Sequence, residues 1–232
     1  MSTSTAVEVV DLSQESVRDL NQRLHEAAAG GPQGWQVLHP GGLHSIAAGV
    51  DGPLEIDIDG HVGYYCAGMN QEASVRIHGN AGVGVAENIM SGTVVVDGDA
   101  SQSAGATGHG GLVVVHGNAS TRAGISMKGV NIVVGGDVGN LSAFMAQKGA
   151  LVVCGDAGDA LGDSIYEAHL YVRGSVASLG ADCVEKELGE FHVGELTGLL
   201  QEAGIDADPG EFRRYGSARK LYNFDIDNAG DY

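Results

Sequence analysis

Glycine returns every 19 residues, seven times without a slip, at Gly60, Gly79, Gly98, Gly117, Gly136, Gly155 and Gly174. Each closes a five-residue phrase: IDIDG, VRIHG, VVVDG, VVVHG, IVVGG, LVVCG and LYVRG. The residues four before the glycine are Ile56, Val75, Val94, Val113, Ile132, Leu151 and Leu170. Those two before it are Ile58, Ile77, Val96, Val115, Val134, Val153 and Val172. All are aliphatic and most are β-branched, with the period of two that marks a strand. Identical columns at a fixed period mean that like stacks on like. Short parallel strands, one per copy, then pair with those above and below at roughly 4.8 Å per coil, which makes a rod roughly 30 Å long. The period is not a multiple of six, which disfavours the left-handed hexapeptide β-helix, and parallel crossovers wind right-handed by default. The expected fold is an all-β solenoid, a right-handed parallel β-helix of about seven 19-residue coils with short terminal helices.

Two more columns run through the repeat. Directly after the marker glycine come His61, Asn80, Asp99, Asn118, Asp137, Asp156 and Ser175, small polar residues of the kind that make turns. Seven after it come Ala67, Ala86, Gly105, Gly124, Ala143, Gly162 and Ala181, always small, as a crowded inner corner requires. The repeat occupies residues 54–180 as one domain. Residues 1–53 form an N-terminal helix and cap, and 181–232 a C-terminal helix and a basic, aromatic tail. The first helix is expected from Ser13 to about Ala29, capped by Ser13 or Ser16 and stopped by Gly30, Gly31 and Pro32. It is placed to cover the open end of the stack, with Trp35 packed in that cap. Val193, Leu196, Leu199, Leu200 and Ala203 indicate the second helix, ended at Gly204.

A net charge of −18 argues against nucleic acid and against an anionic membrane surface as partners. Cys66, Cys154 and Cys183 have no metal-ligand or redox spacing and read as free buried thiols in a reducing compartment. No signal peptide and no transmembrane stretch is visible, so the expected location is cytoplasmic.

Catalytic and metal-binding constellations are hard to find. His78 and His116 share a column two coils apart, roughly 10 Å, too far for one ion. His109 lies in a GHGG turn. The acidic column at Asp99, Asp137 and Asp156 lacks the nine-residue calcium pattern, and side-chain ladders at turns explain it. No GxSxG elbow and no dinucleotide fingerprint is present. The expectation is no catalytic, cofactor or metal residue on this chain. Surface contact is better supported. The column three before the marker reads Asp57, Arg76, Val95, Val114, Val133, Val152 and Tyr171. Its four valines make an apolar outer stripe that something must cover, either the chain's own terminal helix or a partner. The tail supplies Arg213, Arg214, Tyr215, Arg219, Lys220, Tyr222 and Phe224, either a strap on its own rod or a docking segment.

The segments HVGYYCAGMN (61–70), GNAGVGVAENIMSG (79–92), GDASQSAGATGHGG (98–111), ISMKG (125–129), SAFMAQKG (142–149), CGDAGDALGDSIYEA (154–168) and SLGADC (178–183) are recognisable. Their texture resembles the GXGXG domain at the C-terminal end of the glutamate synthase large subunit, and a formylmethanofuran dehydrogenase subunit. The likeness is closer to the stand-alone GXGXG subunit of complexes of the N-methylglutamate synthase type, as is the tail ARKLYNFDIDNAGDY. That resemblance implies a hetero-oligomer in which a right-handed β-helix holds an amidotransferase-type subunit and an FMN-binding TIM-barrel synthase subunit, with iron–sulfur chemistry on those partners. The implied reaction joins glutamate and methylamine to give N-methylglutamate and ammonia. The alternatives are a glutamate synthase or formylmethanofuran dehydrogenase scaffold, or an independent β-helix enzyme. The unbroken period argues against the last, because such enzymes build their sites on inserted loops.

Overall fold

The computed structural model describes residues 7–31 and 33–219. The chain winds as a parallel solenoid. In order come β1 (Val7–Asp11), α1 (Val17–Ala28), β2 (Gly34–Leu38), β3 (Glu55–Asp59), β4 (Ser74–Ile77), β5 (Thr93–Val96), β6 (Leu112–Val115), β7 (Asn131–Val134), β8 (Ala150–Val153), β9 (His169–Val172), β10 (Cys183–Lys186), α2 (Glu190–Glu202) and β11 (Arg213–Ser217). β1 to β9 pair in parallel in chain order, and β11 and then β10 close the far edge in antiparallel fashion. Neither of the described helices is long and apolar enough to cross a membrane.

The sheet extends beyond both ends of the 19-residue repeat. β2 pairs with β3 from Gly34↔Glu55, and β1 with β2 from Val7↔Gly34. The first coil carries α1 as its crossover, so the helix walls the core as well as covering its end. Ser16 caps it, accepting the Asp19 N–H at 3.2 Å, while Ser13 instead donates its N–H to Asp11 at 2.9 Å. Leu20 and Leu24 are fully buried. Trp35 points inward from β2, with the Arg23 guanidinium 5.5 Å from its ring and paired with Glu8 and Glu15. At the other end β11 folds back on β9, and the segment 213–217 is thus a strand of its own rod.

The marker glycines have a specific cause. Of the seven, only Gly60 has a left-handed backbone, φ +138°. At Gly98, Gly117, Gly136, Gly155 and Gly174 a Cβ would collide with the side-chain oxygen of an Asn or Asp from the coil before. That oxygen is fixed by a ladder. The N–H of Asp99 donates to Asn80 (3.0 Å), Asn118 to Asp99 (2.7 Å), Asp137 to Asn118 (2.9 Å), Asp156 to Asp137 (2.7 Å) and Ser175 to Asp156 (2.6 Å). The polar column therefore serves coil-to-coil bonding, and the glycine beside it leaves the room that bonding needs.

The return side of each coil explains the constancy of the period. Every second residue there lies at positive φ: Tyr65, Ala67 and Met69, then Gly84, Ala86 and Asn88, then Ser103, Gly105 and Thr107. The N–H groups of these positive-φ residues point alternately to the next coil and to the one before. Ser103 donates forward to Thr121 (3.0 Å), Gly105 back to Val85 (2.9 Å) and Thr107 forward to Ile125 (2.9 Å). One inserted residue would put every later N–H in the coil out of register with its acceptor in the neighbouring coil. The middle position is the always-small column: a Cβ on Gly105 would lie 2.6 Å from Ile132 Cδ1. Ala67, Ala86 and Ala143 are fully buried there. Ala181, in the last coil, is exposed, because the stack ends beside it.

Candidate interaction surfaces

The outer face of the sheet carries one continuous column. Register places Val9, Gln36, Asp57, Arg76, Val95, Val114, Val133, Val152, Tyr171, Arg214 and Lys186 side by side across the strands. Its chemistry changes along the rod. At β3 and β4 it is polar and exposed: His78 bonds Asp97 at 2.8 Å and Asp57 at 3.0 Å, and Arg76 pairs with Asp97 at 2.8 Å. Partial burial opposes a charge on His78, but its two carboxylate partners outweigh that and raise its pKa.

From β6 onward α2 lies over the column. Leu196, Leu199 and Leu200 of α2 and its C-cap residue Ala203, with Phe212, form a second core with Val114, Val133, Val152 and Tyr171, and Val95 packs at its margin. The occupant of the valine stripe is thus this chain's own helix, and Val114, Val133 and Val152 are closed to a partner. Glu195 anchors the helix. It accepts from His169 at 2.8 Å and from the buried Tyr171 hydroxyl. Burial opposes its charge, yet these two hydrogen bonds win and lower its pKa. Burial and the same bond raise that of Tyr171. His192 stacks edge-on against His169 at 5.1 Å, and burial together with the nearby Arg214 lowers its pKa. The sequence signals for this cluster were faint: Tyr171 ends the valine column, and Glu195 is the acid beside the helix's apolar face.

Of the tail residues expected at an interface, Arg213 donates to Gly174 O and Arg214 to Glu187 O, each at 3.0 Å. Tyr215 is buried and Arg219 pairs with Asp182. These four dock in cis. Lys220, Tyr222 and Phe224, like the Pro32 stop signal, lie outside the described residues.

The structure also exposes apolar side chains that the repeat pattern does not indicate. Leu43, Tyr64, Tyr65, Met69 and Met90 are large apolar side chains left exposed near the N-terminal end. Tyr64 stacks on His44 with ring centroids 4.5 Å apart, and its N–H donates to His44 Nδ1 at 3.0 Å. These residues fall outside the strand phrases, so the period-two pattern says nothing of where they point. Burial raises the pKa of Cys66 to about 12 and of Cys183 to about 11, so neither is a ready thiolate. Among the described residues no three His, Cys, Asp or Glu side chains are grouped to hold a metal ion.

No family model matches the chain. Protein GlxC of Rhizobium meliloti (strain 1021) is 59% identical to it over 226 residues, 97% of this chain and 99% of that protein. The chain belongs to the GlxC family. A match of that length takes in the repeat together with most of both flanks. In this GlxC-family chain the outer column ends at a depression of about 250 Å³ beside β10 and β11, lined in part by Lys186, Arg214, Arg219, His169 and Gly216.

Proposed function

We propose that this chain is a structural, non-catalytic subunit of a cytoplasmic N-methylglutamate synthase-like complex. In this reading it holds an amidotransferase-type subunit and an FMN-binding synthase subunit that carry the chemistry, including any iron–sulfur cluster. The observation that carries the reading is the exposed set Leu43, Tyr64, Tyr65, Met69 and Met90 on an otherwise rigid, self-bonded rod. Tyrosine and methionine left in water on a rigid surface are the composition of a protein contact. The resemblance of segments 61–70, 79–92 and 154–168 to the stand-alone GXGXG subunit supplies the identity of the partners.

The rod suits the role physically. Its turn-side Asn and Asp oxygens are committed to coil-to-coil bonds, and its outer stripe is sealed by α2. Such a body offers partners fixed positions at little entropic cost on binding. Co-expression with the two proposed partners should give a complex that co-purifies and turns over methylamine and glutamate, while the chain alone should be inactive. Changing Tyr64 and Tyr65 together to Ser should release a partner without lowering the rod's melting temperature. Turnover by the isolated chain would defeat the proposal.

A further inference from the structure

The outer column ends in an unusual pairing. Lys186 of β10 and Arg214 of β11 are direct cross-strand partners, and Arg214 in turn faces Tyr171 of β9. Like charges directly opposite on neighbouring strands repel and cost stability. Among the described residues neither cation has a carboxylate within ion-pair distance, although the chain's net charge is −18. Arg214 spends one nitrogen on the Glu187 carbonyl, and its Nε is buried without a partner.

Among the described residues the space beside the two cations is open. The depression of about 250 Å³ is lined by both, by His169, and by Arg219, which Asp182 already neutralises. Among the described residues Glu167 is the one carboxylate in that lining, and it is exposed. Gly216 leaves part of the lining bare. Unlike the marker glycines it is not required by crowding: a Cβ there would meet nothing closer than 3.9 Å.

We propose that this depression is a binding site for a carboxylate group, held between the Arg214 guanidinium and the Lys186 ammonium. A guanidinium matches a planar carboxylate, and an ammonium adds a second charge-assisted contact. Among the described residues, two uncompensated cations against one exposed Glu167 leave about one positive charge to neutralise, which suits a monoanion better than a phosphate dianion. The carboxylate comes either from a free organic acid or from an acidic side chain of a protein partner. The site lies at the far edge of the sheet and stands or falls apart from the scaffold reading.

Calorimetric titration of the full chain separates these sources. The probes are sodium glutamate, the peptide acetyl-GEGEG-amide, and sodium phosphate at matched ionic strength. Saturable binding of glutamate would identify a free acid, and binding of the peptide alone a polypeptide source. In either case Lys186→Gln and Gly216→Val should weaken binding about tenfold or more. Lys186 is exposed on an edge strand, so its variant keeps the fold and decides the matter if Gly216→Val does not. No saturation by either carboxylate probe at about 10 mM, a range covering weak millimolar sites, would overturn the proposal. So would unchanged affinity in a folded Lys186→Gln variant, or tighter binding of phosphate than of both carboxylates.

Discussion

The two halves of the outer sheet face share a backbone and a register but not a solvent. At β3–β5 the column is Asp57, Arg76 and a partly buried Val95, flanked by His78 and Asp97 in water. At β6–β9 the same column is Val114, Val133, Val152 and Tyr171, sealed beneath α2. The parallel ladder is indifferent to this change, because its bonds are made by backbone. What differs is the energy each half draws from its side chains. Ion pairs in water are worth about 0–1 kcal/mol, whereas each buried aliphatic side chain contributes about 1.5–3 kcal/mol. The half under α2 should be the stable one.

The largest test of that contrast is at the helix. Leu196→Ala should cost about 2–5 kcal/mol in urea unfolding, and Arg76→Ala about 0–1 kcal/mol. Equal costs would break the comparison. Next comes Gly136→Ala, where the added Cβ meets the Asn118 side-chain oxygen and lies 2.9 Å from the Gly117 carbonyl. A loss of about 1–3 kcal/mol is expected, as for overpacking elsewhere. Asn118→Ala removes the acceptor for the Asp137 N–H and should cost about 0.5–1.5 kcal/mol. If Asn118→Ala also rescues Gly136→Ala, the steric account of the marker glycine is sharpened.

The smallest effects concern pH, and the two halves should respond with opposite sign. The folded-state pKa of His78 is raised above 6.5, so its contribution is complete below that value and fades as pH rises through the folded value. That of His192, beside Arg214, His169 and Glu195, is lowered below 6.5, so its contribution is complete above 6.5 and fades as pH falls. Melting temperatures of His78→Gln and His192→Gln against the parent, across about pH 5.5–8.5, should diverge in opposite directions. Parallel curves would mean that neither environment is as described.

Much of the fold was legible in the sequence, and the limits of that reading have physical causes. The strand columns, the small corner column and the helix ending at Gly204 appear where the pattern puts them, with Gly204 at φ +67°. The coil formed by β2 escaped notice for two reasons. Its spacing to the next coil is 21 residues rather than 19, from Gly34 to Glu55, and His39 at φ 53° stands in the marker position. β1 was hidden further by the helix inserted between it and β2. The role of the tail from Arg213 to Ser217 was left open because an antiparallel return strand has no period to detect. The exposed tyrosines were invisible because the alternating left-handed backbone of the return side has no pattern in a hydrophobicity count.

The sequence by itself determined the solenoid. A 19-residue period of aliphatic pairs can bury its side chains only by stacking, and the glycine–Asx couple admits only one way for coils to meet. It also required that the valine stripe be covered. Which body covers it was decided only by tertiary structure. The apolar face of α2 fits the stripe, and the half-buried Glu195 carboxylate accepts hydrogen bonds from His169 and Tyr171 there. The facing of Lys186 and Arg214 likewise exists only because a strand from beyond α2 returns to the sheet edge. Periodicity specifies neighbours in a stack, but contacts between segments outside the period depend on where folding brings them.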